Sequence, residues 1–214
     1  MRSSTIRVLA CSPRASGNTD LMVHNFVQGV RASGGTVEVS YLRDYTVLPC
    51  AACHFCDEDA EANCVMSKRD DAETLFRQID EARLVCVISP IFFYHLPAQL
   101  KALVDRSQRF WVLRQQKLRR QGANWQPGTQ RPGIVGLVAA RTRGDKLFEG
   151  SLLTLKYFFD LFDIRVMDGC QLMGYDKPDE LANDGVACMQ LYEMGVKAAA
   201  LVVEHEGQRF RKQS

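Results

Sequence analysis

Residues 83–89 read Arg-Leu-Val-Cys-Val-Ile-Ser and form a nearly continuous apolar run. Such a run is typical of a strand buried on both faces of a parallel sheet. Further apolar or alternating segments predict strands at residues 6–11, 36–42, 133–140 and 164–170. Helical periodicity lies between and after them, at residues 18–32, 70–80, 98–113, 146–162 and 185–204, with Asn18 predicted to cap the first helix.

Strand and helix thus alternate five times, with connections too long for hairpins. This pattern predicts an α/β fold, with an open, doubly wound, five-stranded parallel sheet between two helical layers. The chain has 214 residues, 46% hydrophobic, which is enough for one well-filled core, and we expect residues 1–214 to form a single domain.

The charge and hydropathy of the chain narrow its partners and its location. A net charge of +2 gives no reason to expect nucleic acid or a membrane surface as partner. No apolar run reaches the roughly 18 residues needed to span a bilayer. The N-terminus reads as a first strand rather than a signal peptide, so we expect a cytoplasmic protein.

Four of the eight cysteines, Cys50, Cys53, Cys56 and Cys64, lie in one loop at residues 49–69, with the spacing C-x2-C-x2-C-x7-C. In a reducing cytosol such cysteines favour metal binding or catalysis over disulfides. A [4Fe-4S] cluster, a structural zinc and free thiols all remain open for this loop. Packing is the simplest interpretation of Cys11, Cys86, Cys170 and Cys188, because free cysteine buries readily.

Three loops follow strands, where ligands of open α/β sheets bind. The first, residues 12–19, combines hydroxyls, one Arg, one Gly and a helix start, which predicts a phosphate cradle. The second, residues 89–97, carries three aromatics that could pack in the core or form a wall for a flat ring. Its lone His95 invites a catalytic role, but such a residue is more often a positioning or incidental group. The third, residues 139–145, again offers small residues and cations. Together they outline a site for flavin mononucleotide (FMN).

Residues 106–131 carry seven Arg or Lys, no acid, and both Trp111 and Trp125. We call this segment the basic arm. It is predicted to be a solvated helix end and surface loop, a contact with a partner subunit, or a source of cations for a phosphorylated cofactor. Two tryptophans on a loop favour the partner contact.

The chain resembles the flavodoxin-like NAD(P)H-dependent FMN reductases, and more narrowly the iron–sulfur flavoproteins among them. The motifs are S-P-R-x-S-G-N-T from Ser12, the four-cysteine run, S-P-I-F-F-Y from Ser89, L-P-A-Q-L-K-A-L-V-D-R from Leu96, and the strand-four loop. The resemblance runs from strand one to the last helix. It implies a flavodoxin-like fold and cluster ligands at Cys50, Cys53, Cys56 and Cys64. The FMN-binding residues it implies are Ser12, Arg14, Ser16, Gly17, Asn18, Thr19, Pro90, Ile91, Phe92, Phe93, Tyr94, His95, Ala140, Arg141, Thr142 and Gly144.

The predicted function is oxidoreduction through bound FMN, with electrons taken from NAD(P)H or a ferredoxin and passed on, if the cluster is present, one at a time. The cofactor carries the redox chemistry, so we assign no catalytic side chain. The alternatives are a flavodoxin-like electron carrier and a cysteine-based redox or metal sensor. The resemblance also implies a homodimer or homotetramer, since the family completes its flavin site with a neighbouring subunit.

Overall fold

The computed structural model describes residues 5–122, 129–177 and 179–211 of the chain. Its strands are β1 (Thr5–Ala10), β2 (Thr36–Tyr41), β3 (Leu84–Pro90), β4 (Arg131–Ala139) and β5 (Ile164–Met173). Its α-helices are α1 (Asn18–Ala32), α2 (Phe55–Glu58), α3 (Ala72–Glu81), α4 (Ala98–Arg106), α5 (Gln108–Gln121), α6 (Glu149–Asp160) and α7 (Gly185–Arg211). A short 3-10 turn, Leu42–Asp44, follows β2.

The five strands form one sheet in the order β2-β1-β3-β4-β5, and every neighbouring pair is parallel. This order confirms the predicted doubly wound, flavodoxin-like α/β fold. The chain winds outward from β1 in one direction to β2 and in the other through β3 to β5. The crevice where ligands bind in such folds therefore lies beyond the carboxyl ends of β1 and β3.

Two apolar clusters cover the two faces of the sheet. Val85 and Val87 of β3 point into the cluster formed with α3, α4 and α6, while Leu84, Cys86 and Ile88 point into the cluster formed with α1 and α7. All five side chains are buried. The apolar run at residues 83–89 is thus explained by helices on both faces.

The predicted helix over residues 98–113 is wrong in one respect, because the structure divides it. Helix α4 ends at Arg106, and α5 begins at Gln108 and continues to Gln121. Between them the Ser107 hydroxyl donates to the Val104 carbonyl oxygen at 2.6 Å. A serine that bonds the backbone in this way competes with the regular helical ladder.

Helices α1 and α7 pack closely against each other on one face of the sheet. A Cβ atom added to Gly29 would lie 2.0 Å from the Tyr192 carbonyl oxygen, and one added to Gly195 would lie 2.0 Å from the Phe26 carbonyl oxygen. The two helices therefore approach backbone to backbone.

Residues 185–207 of α7 are long and apolar enough to cross a membrane by length and composition alone, although Glu193 and Lys197 interrupt the apolar sequence. In the fold, Leu191, Met194, Ala198 and Val202 of this helix lie in the core cluster that it shares with α1. Core helices of globular proteins have the same composition.

Candidate functional site

One cavity of about 290 Å³ lies at the carboxyl ends of the strands. The three predicted loops contribute Ser12, Arg14, Gly17, Asn18, Thr19, Pro90, Ile91, Phe92, Phe93 and Ala140 to its wall. The parallel arrangement of β1, β3 and β4 brings these loops together, since the carboxyl ends of all three strands meet at one edge. We call this space the strand-edge cavity.

The first loop is held by short local hydrogen bonds. The buried Ser12 hydroxyl donates to the Arg14 carbonyl oxygen at 3.0 Å and accepts the Arg14 N–H at 3.1 Å. Asp20, in the first turn of α1, accepts the Ser16 N–H at 2.8 Å. Arg43 donates to both Asp20 carboxylate oxygens, at 2.9 and 3.0 Å. This pairing offsets a negative charge that would otherwise oppose anion binding at the helix start.

Asn18 does not cap α1, which corrects the prediction. Gly17 is the N-cap, and Asn18 is the first helical residue. The Asn18 amide instead donates to the carbonyl oxygens of Tyr175 and Lys177, at 3.1 and 2.9 Å, and so ties α1 to the segment after β5. Its Oδ1 is buried and accepts no hydrogen bond within the described part of the chain.

The start of α1 fits a phosphate. The first N–H groups of any α-helix lack an intrahelical acceptor, and the helix dipole favours an anion there. At Gly17, φ is −98° and ψ is −175°, and a Cβ would meet nothing within 4 Å. A side chain at this position would therefore project into open space beside the cavity, where a cradled phosphate needs room.

The aromatic loop is a tight reverse turn. The Phe92 N–H donates to the His95 carbonyl oxygen at 2.8 Å, and the His95 N–H donates to the Phe92 carbonyl oxygen at 3.0 Å. The central residues Phe93 and Tyr94 have φ of 45° and 64°, in the left-handed region that a type I′ turn requires. Phe93 is 99% exposed at the tip. A large apolar ring held so far into solvent is suited to contact a flat ligand or another chain.

Six predicted flavin-site residues lie outside the wall of this cavity: Ser16, Tyr94, His95, Arg141, Thr142 and Gly144. His95 turns toward α6, where its Nε2 lies 3.3 Å from the Thr154 hydroxyl. The Arg141 guanidinium lies over the Tyr94 ring, 5.0 Å from its centroid. The second and third loops therefore contact each other beside the cavity, and a catalytic role for His95 gains no support.

The sequence prediction missed Tyr175 and Asp176, which follow β5 and line the cavity. The hydrogen bond that the Tyr175 hydroxyl donates to Asp184, at 2.7 Å, raises the pKa of Tyr175 to about 12. The rule that ligands bind beyond strand ends would have found both residues if it had been applied to the fifth strand. That strand, however, was predicted to end at residue 170, three residues too early.

All four cysteines of the loop at residues 49–69 line a second cavity, of about 420 Å³. We call it the cysteine cavity. Its wall also includes His54, Asp57, Val65, Met66, Asp105, Arg106, Gln108 and Arg109. Cys50, Cys53, Cys56 and Cys64 are free thiols. In the residues that the structure describes, no group of three or more cysteine, histidine or acidic side chains is already arranged to hold a metal ion.

The loop that carries these cysteines is tightly wound. Ala52, His54 and Ala62 have positive φ of 49°, 59° and 54°, which is costly for residues with a side chain. Asp59 accepts the N–H groups of Glu61 and Asn63, both at 2.9 Å. These backbone hydrogen bonds lower the pKa of Asp59. The donor set, four thiols on one wall, fits an iron–sulfur group in number and type, and metal binding would draw the thiols together.

Helix α5 supports the cysteine loop from the side. The Gln116 amide donates to the Asp59 carbonyl oxygen at 3.0 Å, and Arg120 donates to the Ala60 carbonyl oxygen at 3.3 Å. Trp111 lies on this helix and not on a loop, which corrects the description of the basic arm. Trp125 lies outside the described residues.

Arg106 forms a buried ion pair with Asp70. Its Nη1 lies 2.5 Å from Asp70 Oδ2, and neither side chain is exposed. Burial alone would raise the pKa of Asp70, but hydrogen bonds from Arg106 and from the N–H groups of Leu48 and Ala72 outweigh it, so that pKa is lowered. Burial likewise opposes the charge on Arg106, whereas Asp70 and the nearby Cys64 favour it, and the pKa of Arg106 is raised.

Of the four cysteines outside the loop, which were predicted to pack in the core, three do so. Cys11, Cys86 and Cys170 are buried, and burial raises the pKa of each thiol, to about 12 for Cys170. Cys188 is partly exposed, and its thiol donates to the Leu181 carbonyl oxygen at 3.3 Å. A thiol with a raised pKa is a poor nucleophile at neutral pH, so the three buried cysteines act as apolar side chains.

Comparison with known proteins places the chain in a family. Residues 4–147 match the family model of the NADPH-dependent FMN reductases. An iron–sulfur flavoprotein of Methanocaldococcus jannaschii is 33% identical over 198 residues, which cover 89% of this chain and 93% of that protein. This chain therefore belongs to the NADPH-dependent FMN reductase family and, within it, to the iron–sulfur flavoproteins, as its motifs predicted. Its activity class is that of an FMN-dependent oxidoreductase.

Solved structures share the fold at low sequence identity. A flavone reductase superimposes with a TM-score of 0.66 at 14% identity, covering 94% of this chain and 64% of that one. An FMN-dependent NADH-azoreductase of Bacillus anthracis, solved in complex with FMN, gives a TM-score of 0.61 at 15% identity, covering 91% of this chain and 99% of that one.

Proposed function

We propose that this chain takes electrons from NAD(P)H through FMN in the strand-edge cavity and passes them on through a [4Fe-4S] cluster in the cysteine cavity. The observation that carries the proposal is that Cys50, Cys53, Cys56 and Cys64 share one cavity wall in a chain whose fold and family are those of FMN reductases. A flavin can exchange electrons in pairs or singly, whereas a cluster exchanges them singly, so the two together would link a two-electron donor to a one-electron acceptor.

The residues proposed to hold FMN follow from the strand-edge cavity. The N–H groups at the N-terminus of α1 and the Thr19 hydroxyl would bind the phosphate. The Ser12 hydroxyl, through Arg14, and the Asn18 amide, through Tyr175 and Lys177, hold that helix start in place. Residues 90–93 and Ala140 form the wall toward the flavin ring, and Phe93 excludes water from it. The other predicted site residues, Ser16, Tyr94, His95, Arg141, Thr142 and Gly144, form the rim, where Tyr94 and Arg141 hold the two loops together. No side-chain acid or base is assigned, because the cofactor carries the redox chemistry.

The assembly and the location of the protein are further parts of the proposal. We propose a single FMN-binding domain over residues 1–214 that forms a homodimer or homotetramer and is cytoplasmic. The loop at residues 49–69 would hold the cluster, and the basic arm would contact a second copy. Exposed Trp111 and Leu118 on α5 support this contact, because large exposed apolar side chains are enriched at interfaces.

Anaerobic reduction tests the flavin half of the proposal. We expect NADH or NADPH to bleach the flavin absorbance of purified protein, and unchanged absorbance with both would contradict the reductase assignment. The variant Gly17→Glu should lose bound FMN by at least about tenfold, since it puts a charged side chain where the phosphate binds. A matched control is Gly185→Glu, at the start of α7, where a Cβ also meets nothing within 4 Å. It should keep FMN and turn over normally.

Iron and sulfide analysis tests the cluster half. Protein purified without oxygen should contain about four irons and four sulfides per chain, the composition of a [4Fe-4S] centre. The variant Cys56→Ser should lose most of this iron, whereas Cys188→Ser, outside the cysteine cavity, should retain it. Zinc, or no metal, in the wild-type protein would reject the cluster and leave a plain FMN reductase.

A further inference from the structure

Two arginines lie on the wall of the cysteine cavity beside the four thiols. Arg106 is the last residue of α4, and Arg109 is in the first turn of α5, so the break at Ser107 places both at one helix junction. Two cationic side chains at this junction favour an anionic group in the cysteine cavity.

Arg106 is only 2% exposed, and its hydrogen bonding is incomplete. Its two terminal nitrogens donate to the Asp70 carboxylate, at 2.5 and 3.3 Å, and to the Leu48 carbonyl oxygen, at 3.2 Å. Its Nε is buried and has no acceptor in the part of the chain that the structure describes. Leaving a buried donor without an acceptor costs about 1–3 kcal/mol, and more for a charged group.

Arg109 repeats this arrangement. Its Nη2 lies 2.5 Å from Glu73 Oε2, and its Nε is buried without an acceptor among the described residues. Two guanidinium groups on one cavity wall thus each retain an unused N–H group. Among the described residues, Glu73 Oε1 is also buried without a donor, so Arg109 has one further acceptor on its own ion-pair partner. The cavity wall that both arginines share with four cysteines offers them other acceptors, thiolate sulfurs and the sulfides of a bound cluster.

We propose that Arg106 and Arg109 donate N–H hydrogen bonds to the sulfurs of the iron–sulfur centre and thereby raise its reduction potential. This inference rests on the proposed function, in which the four cysteines hold that centre. A cluster with four thiolate ligands is negatively charged and becomes more so when it takes up an electron. Hydrogen bonds to its sulfurs stabilise the extra charge and so favour the reduced state.

The ion pairs with Asp70 and Glu73 determine whether the arginines affect the cluster through their charge or through their N–H groups. Asp70 and Glu73 each compensate the charge of one arginine, so the net charge beside the cluster changes little. The carboxylates also hold the guanidinium groups in fixed orientations, and the oriented N–H groups therefore carry the effect. With both groups bound, the cluster would gain one electron as the reduced flavin loses one, and Arg106 and Arg109 would only donate hydrogen bonds to the cluster.

The test compares two arginines of the same helix. Arg109→Gln removes one donor from the cavity wall. Arg114→Gln removes an arginine of similar exposure, 18% against 16%, whose ion pairs are with Asp160 and Asp163. Both variants are prepared anaerobically as full chains with the cluster in place. The reduction potential is measured by dye-mediated titration, with the electron paramagnetic resonance signal of the reduced cluster as the readout.

Arg109→Gln should bind the electron about tenfold less tightly, which lowers the potential of a one-electron couple by about 59 mV. Arg114→Gln should match the wild type. An unchanged potential in iron-loaded Arg109→Gln overturns the inference and leaves the proposed function intact. If Arg109→Gln alone fails to hold iron, Arg109→Met, a long side chain without an N–H donor, supplies the potential, and a wild-type value there overturns the inference. Wild-type protein without iron and sulfide overturns the proposed function itself.

Discussion

Burying a charged side chain costs more free energy than burying any other kind, and the buried charges of this chain are compensated by specific hydrogen-bond and ion-pair partners. Asp70 and Arg106 pair without exposure to solvent. Arg131, at the start of β4, is equally buried and donates to the carbonyl oxygens of Ile79 and Phe162, at 2.9 and 2.8 Å. Removing one partner of a buried pair is far more destabilising than the pair itself is stabilising, because the other charge remains desolvated.

Asp70→Asn should therefore lower the free energy of unfolding by about 3–5 kcal/mol at neutral pH. The pKa of Asp70 is lower in the folded state than its unfolded value, which is about 3.9. Its stabilising contribution is thus complete above that value and is lost as the pH falls through the folded pKa. Denaturant unfolding of the metal-free protein at several pH values should show a shallower acid loss in Asp70→Asn than in the wild type.

The control for this prediction is Asp160→Asn, which removes the same charge from a half-exposed pair with Arg114. Exposed pairs contribute at most about 1 kcal/mol, so this variant should stay close to the wild type. Equal losses in the two variants would show that burial is not what makes the Asp70 pair important.

At the level of elements, the packing of α1 against α7 depends on two glycines. Gly29 and Gly195 let the helices approach so closely that an added Cβ would lie 2.0 Å from a backbone oxygen of the other helix. Backbone atoms cannot swing aside as a flexible side chain can. Any larger residue at these positions must therefore push the two helices apart and open the core cluster they share with the sheet.

Gly195→Ala should lower the free energy of unfolding by about 1–3 kcal/mol, the usual cost of overpacking. Alanine is favoured over glycine in a helix by about 1 kcal/mol, so a net loss would have to come from the clash. The matched change on the same helix is Gly185→Ala, where nothing lies within 4 Å. Denaturant unfolding should find this variant as stable as the wild type; a Gly195→Ala protein equally stable would refute the close packing.

At the level of the whole molecule, α5 and α6 each present large exposed apolar side chains. They are Trp111, Leu118, Leu153 and Tyr157. A cavity of about 440 Å³ lies between these helices, with Trp111 and Tyr157 in its wall. The arginines of the basic arm that line α5 are less available than the sequence indicated, since Arg109 and Arg114 pair with acids of this chain. This surface thus fits a second copy better than a phosphorylated cofactor.

Trp111→Glu should weaken self-association by about thirtyfold or more, because central tryptophans at interfaces contribute about 2 kcal/mol or more and 1.4 kcal/mol is tenfold. Analytical ultracentrifugation over a range of concentrations would measure the change. Val203→Glu, which adds the same charge at an exposed apolar position of α7, should leave the assembly unchanged. Equal assembly of the Trp111→Glu and wild-type proteins would place the contact elsewhere.

The amino-acid sequence by itself determined the fold class and the three loops beyond the strands. The apolar run at residues 83–89 predicts a strand covered on both faces. The small residues and helix start at residues 12–19 predict a phosphate cradle. Neither prediction needs the tertiary structure. These patterns can be read from the sequence because each depends on the periodicity and composition of one short segment, and not on contacts with distant residues. The motifs in these loops were also sufficient to identify the family.

Only the tertiary structure decided which residues meet. It brought Tyr175 to the strand-edge cavity, turned His95 toward α6, and placed Arg106 and Arg109 beside cysteines more than 40 residues earlier in the chain. Such contacts depend on the register of distant strands and on the break at Ser107, neither of which leaves a periodic signal in the sequence. The sequence could therefore predict that four thiols share one loop, but not that two arginines, each with a buried Nε that lacks an acceptor among the described residues, would line their cavity.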